Sequence, residues 1–200
     1  MTGFAVATED ALSEAVAETL LTQVGGHSVA MRLRKDGFGY LKSRVRDFDN
    51  VARTVMPVLL LTDLDQGPCA PDLIARWLPD GAHPGLLFRV AVRETESWLL
   101  ADRAAFAELL GVPQARVPDR PDELPDPKAA LLGLVRGSKL RELKAEILPR
   151  PGVSSPVGLG YNDRLGRFVR ESWDSRRAAE SSPSLARTLA RLAQFRTHDH

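Results

Sequence analysis

The chain begins by alternating short apolar runs with longer stretches of helical apolar spacing. Gly3 to Ala7 is an apolar run closed by Thr8-Glu9-Asp10, which reads as a buried strand. From Asp10, the positions Leu12, Val16, Leu20, Leu21 and Val24 keep helical spacing until Gly25-Gly26 stops them. Ser28 to Leu33 predicts a second strand, Arg34 to Tyr40 a glycine-bearing polar loop, and Leu41, Val45, Phe48 and Ala52 a second helix. Val58 to Thr62 is continuously apolar, as suits a strand covered on both faces of a parallel sheet, and it stops at Asp63-Leu64-Asp65. A third helix is expected from Pro71 to Leu78, with proline tolerated in its first turn. A fourth strand runs from Leu86 to Val92 and leads into a helix reaching Leu110.

This β-α-β-α-β-α-β-α succession predicts an α/β fold, a Rossmann-like, mostly parallel sheet flanked by helices. The texture changes after Gly111. Pro113, Pro118, Pro121, Pro125 and Pro127 force an extended or irregular connection. Helices are then expected over Pro127–Arg136, Ser138–Ile147, Asn162–Trp173 and Ser184–Phe195, with a proline-broken loop between Leu148 and Leu159. The organisation read from this is an α/β domain over 1–111 and an α-helical C-terminal extension over 112–200 packed on it.

Composition narrows the class without changing the fold. At 44% hydrophobic and 26% charged, the 200 residues have globular composition rather than that of a disordered chain. The 27 basic and 26 acidic residues nearly cancel, which excludes a diffusely polybasic surface and leaves only local basic patches for nucleic acid. Arginine greatly outnumbers lysine, a bias that weakens arguments from any single arginine. The lone Cys69 excludes a disulfide framework and a four-thiolate zinc site. His27 and His83 lack partners at ligand spacing, and no G-K-[ST] phosphate loop is present, so neither zinc nor intrinsic ATPase chemistry is expected. No segment resembles a secretory signal or approaches the roughly 18 apolar residues of a membrane span, so a cytoplasmic protein is expected.

The chemistry lies in where the acids fall. In an open α/β sheet, sites form outside the C-terminal ends of the strands. Here Glu9 follows the first strand, Asp63 and Asp65 the third, and Glu94 with Glu96 the fourth. Asp63 and Asp65 are two apart and share a hard cation if the strand continues through both. An all-oxygen set selects Mg²⁺ or Mn²⁺, which completes its shell with water and substrate phosphate. Each acid also has an ordinary reading: a helix cap for the Asp pair, a solvated helix face for Glu14, a helix N-terminal charge for Glu94 and Glu96. Asp63-Leu64-Asp65-Gln66-Gly67 superficially matches the D-x-D-x-[TV] of haloacid-dehalogenase phosphatases. That motif belongs on a first strand, ends in Thr or Val, and leaves Glu9 unexplained.

Glu9 after an early strand and Asp63-Leu64-Asp65 after a later one resemble the TOPRIM arrangement of topoisomerases, primases and overcoming-lysogenization-defect nucleases. Thr8-Glu9-Asp10-Ala11-Leu12-Ser13-Glu14 is similar to the E-G/D-x-x-[ST]-E start of a bacterial TOPRIM-related family of unknown function. The segment from Arg93 to Asp102 resembles that family's E-x-W-L-L-A-D stretch. Asp126-Pro127-Lys128, Tyr161-Asn162 and Ser182-Pro183-Ser184-Leu185-Ala186-Arg187 resemble its C-terminal region. The resemblance implies a Mg²⁺- or Mn²⁺-dependent nuclease acting on nucleic acid, DNA before RNA, in phage defence beside an ABC-type or related ATPase. It implies Glu9 as acid/base or metal ligand, Asp63 and Asp65 as metal ligands, and Glu96, with Glu14, at a second metal. Lys128 or Lys139 would stabilise transition-state charge. Asp10 stands where such sites often keep glycine, which argues against topoisomerase or primase chemistry. The alternative is a non-catalytic partner subunit of an ATPase, and a homo-oligomer is compatible with either. The arginines crowding the last 40 residues, among them Arg164, Arg167, Arg170, Arg187, Arg191 and Arg196, would in either case offer a phosphate-backbone track or a merely solvated surface.

Overall fold

Every strand expected from the sequence pairs in one sheet, and all pairings are parallel. The computed structural model describes residues 1–34 and 39–195. Lys35, Gly37 and Phe38 of the glycine-bearing loop, and Arg196, His198 and His200, lie outside the described residues. The strands are β1 (Gly3–Ala7), β2 (Ser28–Arg32), β3 (Val58–Asp63) and β4 (Leu86–Ala91), in the spatial order β2-β1-β3-β4. Helices α1 (Ala11–Gly25), α2 (Tyr40–Thr54) and α3 (Ala70–Trp77) make the crossovers.

Period-two alternation explains how one sheet serves two cores. Phe4, Val6, Leu59, Leu61, Leu87 and Ala91 face a core shared with α1 and the C-terminal helices. Ala5, Ala7, Val58, Leu60, Leu86, Phe88 and Val90 face the opposite core beneath α2 and α3. With both faces covered, the strands can be apolar without interruption, as the Val58 run is. Helix α1 starts where the Asp10 carboxylate accepts the Ser13 amide at 2.7 Å, and it ends at Gly26 in a left-handed conformation.

The expected single helix from residue 93 to Leu110 is two helices, α4 (Thr95–Ala101) and α5 (Arg103–Leu110). Asp102 makes the break. Its fully buried carboxylate accepts the Ala105 amide and a two-pronged bond from Arg177, with both N···O distances 2.7 Å. After short 3-10 turns at Gln114–Arg116 and Pro121–Glu123 come α6 (Pro127–Gly137), α7 (Arg141–Ile147), α8 (Tyr161–Glu171), α9 (Ser175–Ala179) and α10 (Pro183–Ala193). Helix α7 begins later than expected because the Ser138 hydroxyl donates to the Leu110 carbonyl and accepts the Leu140 amide, which holds that stretch extended. Helix α9, one turn capped by Asp174, carries no apolar periodicity to announce it.

Leu131, Val135, Leu143, Leu165, Phe168 and Leu185 of the C-terminal helices belong to the same core as Phe4, Val6 and Leu59 of the sheet. Trp98 and Trp173 are core residues: the Trp98 indole donates to the Ser184 hydroxyl and the Trp173 indole to the Trp98 carbonyl. Among the described residues, no helix is long and apolar enough to cross a membrane.

Candidate active site

Strand order places the acids before any side chain is considered. The chain runs from β1 outward to β2, then crosses back past β1 to β3 and on to β4, so the winding reverses between β1 and β3, and the crevice of a doubly wound sheet opens at their C-terminal ends. Glu9 follows β1 by two residues, and Asp63 is the last residue of β3, paired with Ala91 of β4. Glu94 precedes α4 and Glu96 lies in its first turn.

Asp63 is held by Thr95, whose amide and hydroxyl donate to Oδ1 at 2.9 and 2.8 Å. Glu9 accepts from the Thr62 hydroxyl at 3.3 Å through Oε1. Each therefore keeps one carboxylate oxygen with no donor among the described residues. The ladder stops at Asp63, so the strict strand alternation through Asp65 does not continue. Asp65 instead adopts a left-handed conformation (φ 50°), which aspartate tolerates, with its amide donating to the Arg93 carbonyl. Its side chain is exposed and repels Glu9, whereas Asp63 is opposed by Glu96. The two halves of the D-x-D thus serve different neighbours, and Asp10 acts on both.

The C-terminal helices supply the counter-groups. Lys128, in the first turn of α6, sets its ammonium 3.3 Å from Glu96 Oε1 and donates its backbone amide to Glu94 at 2.8 Å. Tyr161, at the start of α8, donates its hydroxyl to the same Glu96 oxygen at 2.7 Å. Glu96 is 3% exposed, so these two bonds are what make a charge tolerable there.

Electrostatics follow from crowding acids in a cleft. Burial pushes the Glu9 carboxyl above the usual range, and Asp65 and Asp10 add repulsion against the Thr62 hydrogen bond. Burial, then Glu96, push Asp63 well above it, opposed by Thr95 and Lys128. Burial also raises Glu94, opposed by the Lys128 amide. Burial works against the Lys128 ammonium, but Glu96, Glu94 and Asp63 outweigh it, so its pKa is raised and it stays charged. Burial and the Glu96 anion raise the Tyr161 phenol far enough that it stays protonated.

The crevice therefore gathers Glu9, Asp63, Asp65, Glu94 and Glu96. Glu14 is directed elsewhere, to Arg34 at 3.3 Å and Arg32 at 3.9 Å. Lys128 enters the site, while Lys139 is exposed. Among the described residues, no three His, Cys, Asp or Glu side chains converge as a ready-made metal cage. His27 packs on Phe4 and Phe195, His83 accepts the Gly85 amide, and Cys69 is half-buried ahead of α3. Asp10, Thr95 and Tyr161 stand in segments that carry the resemblance, but neither they nor Thr62 have a site role implied by it. Thr95 adjoins Glu96 in sequence, but Tyr161 joins the site only through tertiary packing. No family model, no curated protein and no solved structure matches this chain.

Proposed function

We propose that the chain is a Mg²⁺- or Mn²⁺-dependent nuclease of TOPRIM type, cleaving phosphodiesters, DNA before RNA, within a bacterial anti-phage defence system. The reading rests above all on Glu9 and Asp63. These half-buried acids stand at the ends of adjacent strands, each with an oxygen that has no donor among the described residues and each held above its ordinary pKa by burial and neighbouring acids. Such a site favours whatever brings positive charge. The donor set fits a hard cation, because magnesium needs only one or two carboxylates and takes water and substrate phosphate for the rest. Asp63 and Asp65 would hold it, leaving Glu9 for acid/base work, and when bound it would supply Lewis-acid stabilisation of charge on a phosphoryl oxygen.

The chain's own groups account for the remaining work. Glu9, with its raised pKa, exchanges a proton at its free oxygen closer to neutrality than an ordinary glutamate, as a general acid/base requires. Lys128 keeps a permanent positive charge at the crevice, with its side chain 35% exposed, and meets negative charge building on a phosphate. Tyr161 is a positioning residue: it holds the Glu96 oxygen that also holds Lys128.

Purified protein with Mn²⁺ is expected to nick plasmid DNA, and Asp63→Ala to abolish nicking. Undiminished cleavage by the variant rules the assignment out. One observation favours a second reading, a non-catalytic partner subunit of an ABC-type or related ATPase. Glu14 and Glu96 already have cationic partners, so fewer acids are free for two metals. Calorimetry showing no Mn²⁺ uptake, alongside a stable complex with such an ATPase, selects that reading.

A further inference from the structure

Strand β4 reads Leu-Leu-Phe-Arg-Val-Ala, and Arg89 is its one polar residue. It pairs with Leu61 of β3 and alternates with Leu87 and Ala91, so it lies on the face covered by α1 and α10. Coding bias scatters arginines over solvent positions; it does not put one in the middle of an apolar strand. Arg89 is half-buried, and its Nε is buried with no hydrogen-bond partner among the described residues.

Helix α10 packs against β4 and carries two more arginines, Arg187 and Arg191. Arg187 and Arg191 are one turn apart, hence on one face of α10, and Arg191 Nη2 lies 3.5 Å from the Pro84 carbonyl at the entry to β4. Arg187 and Arg191 stand close enough to Arg89 to depress its pKa, after the larger effect of burial. Among the described residues, none of the three has a carboxylate partner, although most other arginines with short contacts do. Three mutually repelling cations, one with an orphaned donor, form a site that is stabilised by an anion.

We propose that Arg89, Arg187 and Arg191 form a binding site for a phosphate-class oxyanion at the outer edge of the sheet, separate from the acid crevice. Guanidinium forks match phosphate oxygens bidentately, and two half-buried forks, Arg89 and Arg191, beside the exposed Arg187 suit a group that enters from solvent. The phosphate comes from a phosphodiester backbone or from a free phosphate compound. The site does not depend on metal at the acids, so it stands or falls separately from the nuclease reading.

The test is binding in EDTA, with a fluorescent 12-residue oligothymidylate read by anisotropy and inorganic pyrophosphate read by calorimetry. Arg187→Ala/Arg191→Ala and Arg89→Met are each expected to weaken binding of at least one probe tenfold or more at low salt. For the oligonucleotide, the helix double variant is also expected to reduce the log K against log salt slope by about 1. Loss confined to pyrophosphate assigns the site to free phosphates, and loss with the oligonucleotide assigns it to a backbone. If neither probe binds wild type, or the double variant binds both within twofold of wild type, the site does not exist. Because Arg187 is exposed and α10 ends beside Arg191, the helix double variant decides the matter even if Arg89→Met fails to fold.

Discussion

Replacing Lys128 by methionine keeps most of the aliphatic stem and removes one charge from beside the acids. In the wild type the ammonium lies 3.3 Å from Glu96 Oε1, whose side chain is 4% exposed, and it also lowers the cost of ionising Asp63 and Glu94. Breaking a buried ion pair by deleting one partner costs about 3–5 kcal/mol. The Lys128 side chain is 35% exposed, so water already shares its charge, and the loss should fall to about 2–3 kcal/mol at pH 8. For a chain of this size that is roughly 5–10 °C in Tm. The loss must depend on pH. Asp63 and Glu94 already have raised pKa values and rise further without the ammonium, so the folded variant binds protons more readily than the unfolded chain. The penalty is therefore full above those raised values and fades as pH falls toward the ordinary carboxylate value of about 4. Urea unfolding at pH 8 and pH 5, followed through the buried Trp98 and Trp173, measures both numbers. Adding Glu96→Gln to the variant should recover most of the loss. A loss below about 1 kcal/mol at pH 8, or one equal at both pH values, refutes the argument that Lys128 compensates the acid cluster.

Other perturbations give equally definite outcomes. Because burial raises Glu9, Asp63 and Glu94, the metal-free wild type should lose thermal stability as pH rises from about 5 to 8, and Mn²⁺ should restore it at pH 8; differential scanning fluorimetry reads both. Asp63→Asn keeps an acceptor for Thr95 but removes the unfavourable charge, so Tm at pH 8 should rise while Mn²⁺-dependent nicking falls at least a hundredfold. Tyr161→Phe removes a bond to a charged acceptor and should cost about 1.5–3 kcal/mol in urea titration. Arg177→Ala strands the fully buried Asp102 carboxylate and should cost about 3 kcal/mol, with Arg177→Lys recovering only part because the two-pronged geometry is lost.

Local signals carried the first half of the fold. Uninterrupted Val58 to Thr62 marked a central strand, and Asp10, Gly26 and Gly111 marked helix ends by capping geometry that depends on neighbours within a turn. The break at Asp102 was not legible, because an aspartate inside an apolar helical run caps the next helix only when Arg177 arrives from 75 positions away to neutralise it. The site divides in the same way. Glu9 and Asp63 were legible because position at a strand end is enough to aim them at the crevice. For Asp65 the spacing leaves a condition open, that the strand continue through it, and β3 ends at Asp63. Tyr161 and Lys128 stand in segments that carry the resemblance, but the bond of the Tyr161 hydroxyl to Glu96 and that of the Lys128 amide to Glu94 have no local signal, since each depends on how α6 and α8 settle against α4.

That dependence changes how residues 112–195 should be regarded. The five crevice acids all come from residues 1–111, whereas the ammonium and phenol on Glu96 come from α6 and α8. Arg93, just ahead of Glu94, places its guanidinium on the carbonyls of Asp65 and Gly67. A buried Glu96 without Lys128 and Tyr161 would be an uncompensated charge inside a core, so α4 could not keep its first turn where Thr95 grips Asp63. The C-terminal helices are therefore part of the acid site, not an appendage resting on it. Moving α6 alone would withdraw an ammonium from Glu96 and a backbone amide from Glu94 together, and would raise Asp63 further. A partner that grips this helical region thereby acts on the charge state of the crevice, which gives the nuclease reading and the partner-subunit reading a common physical link.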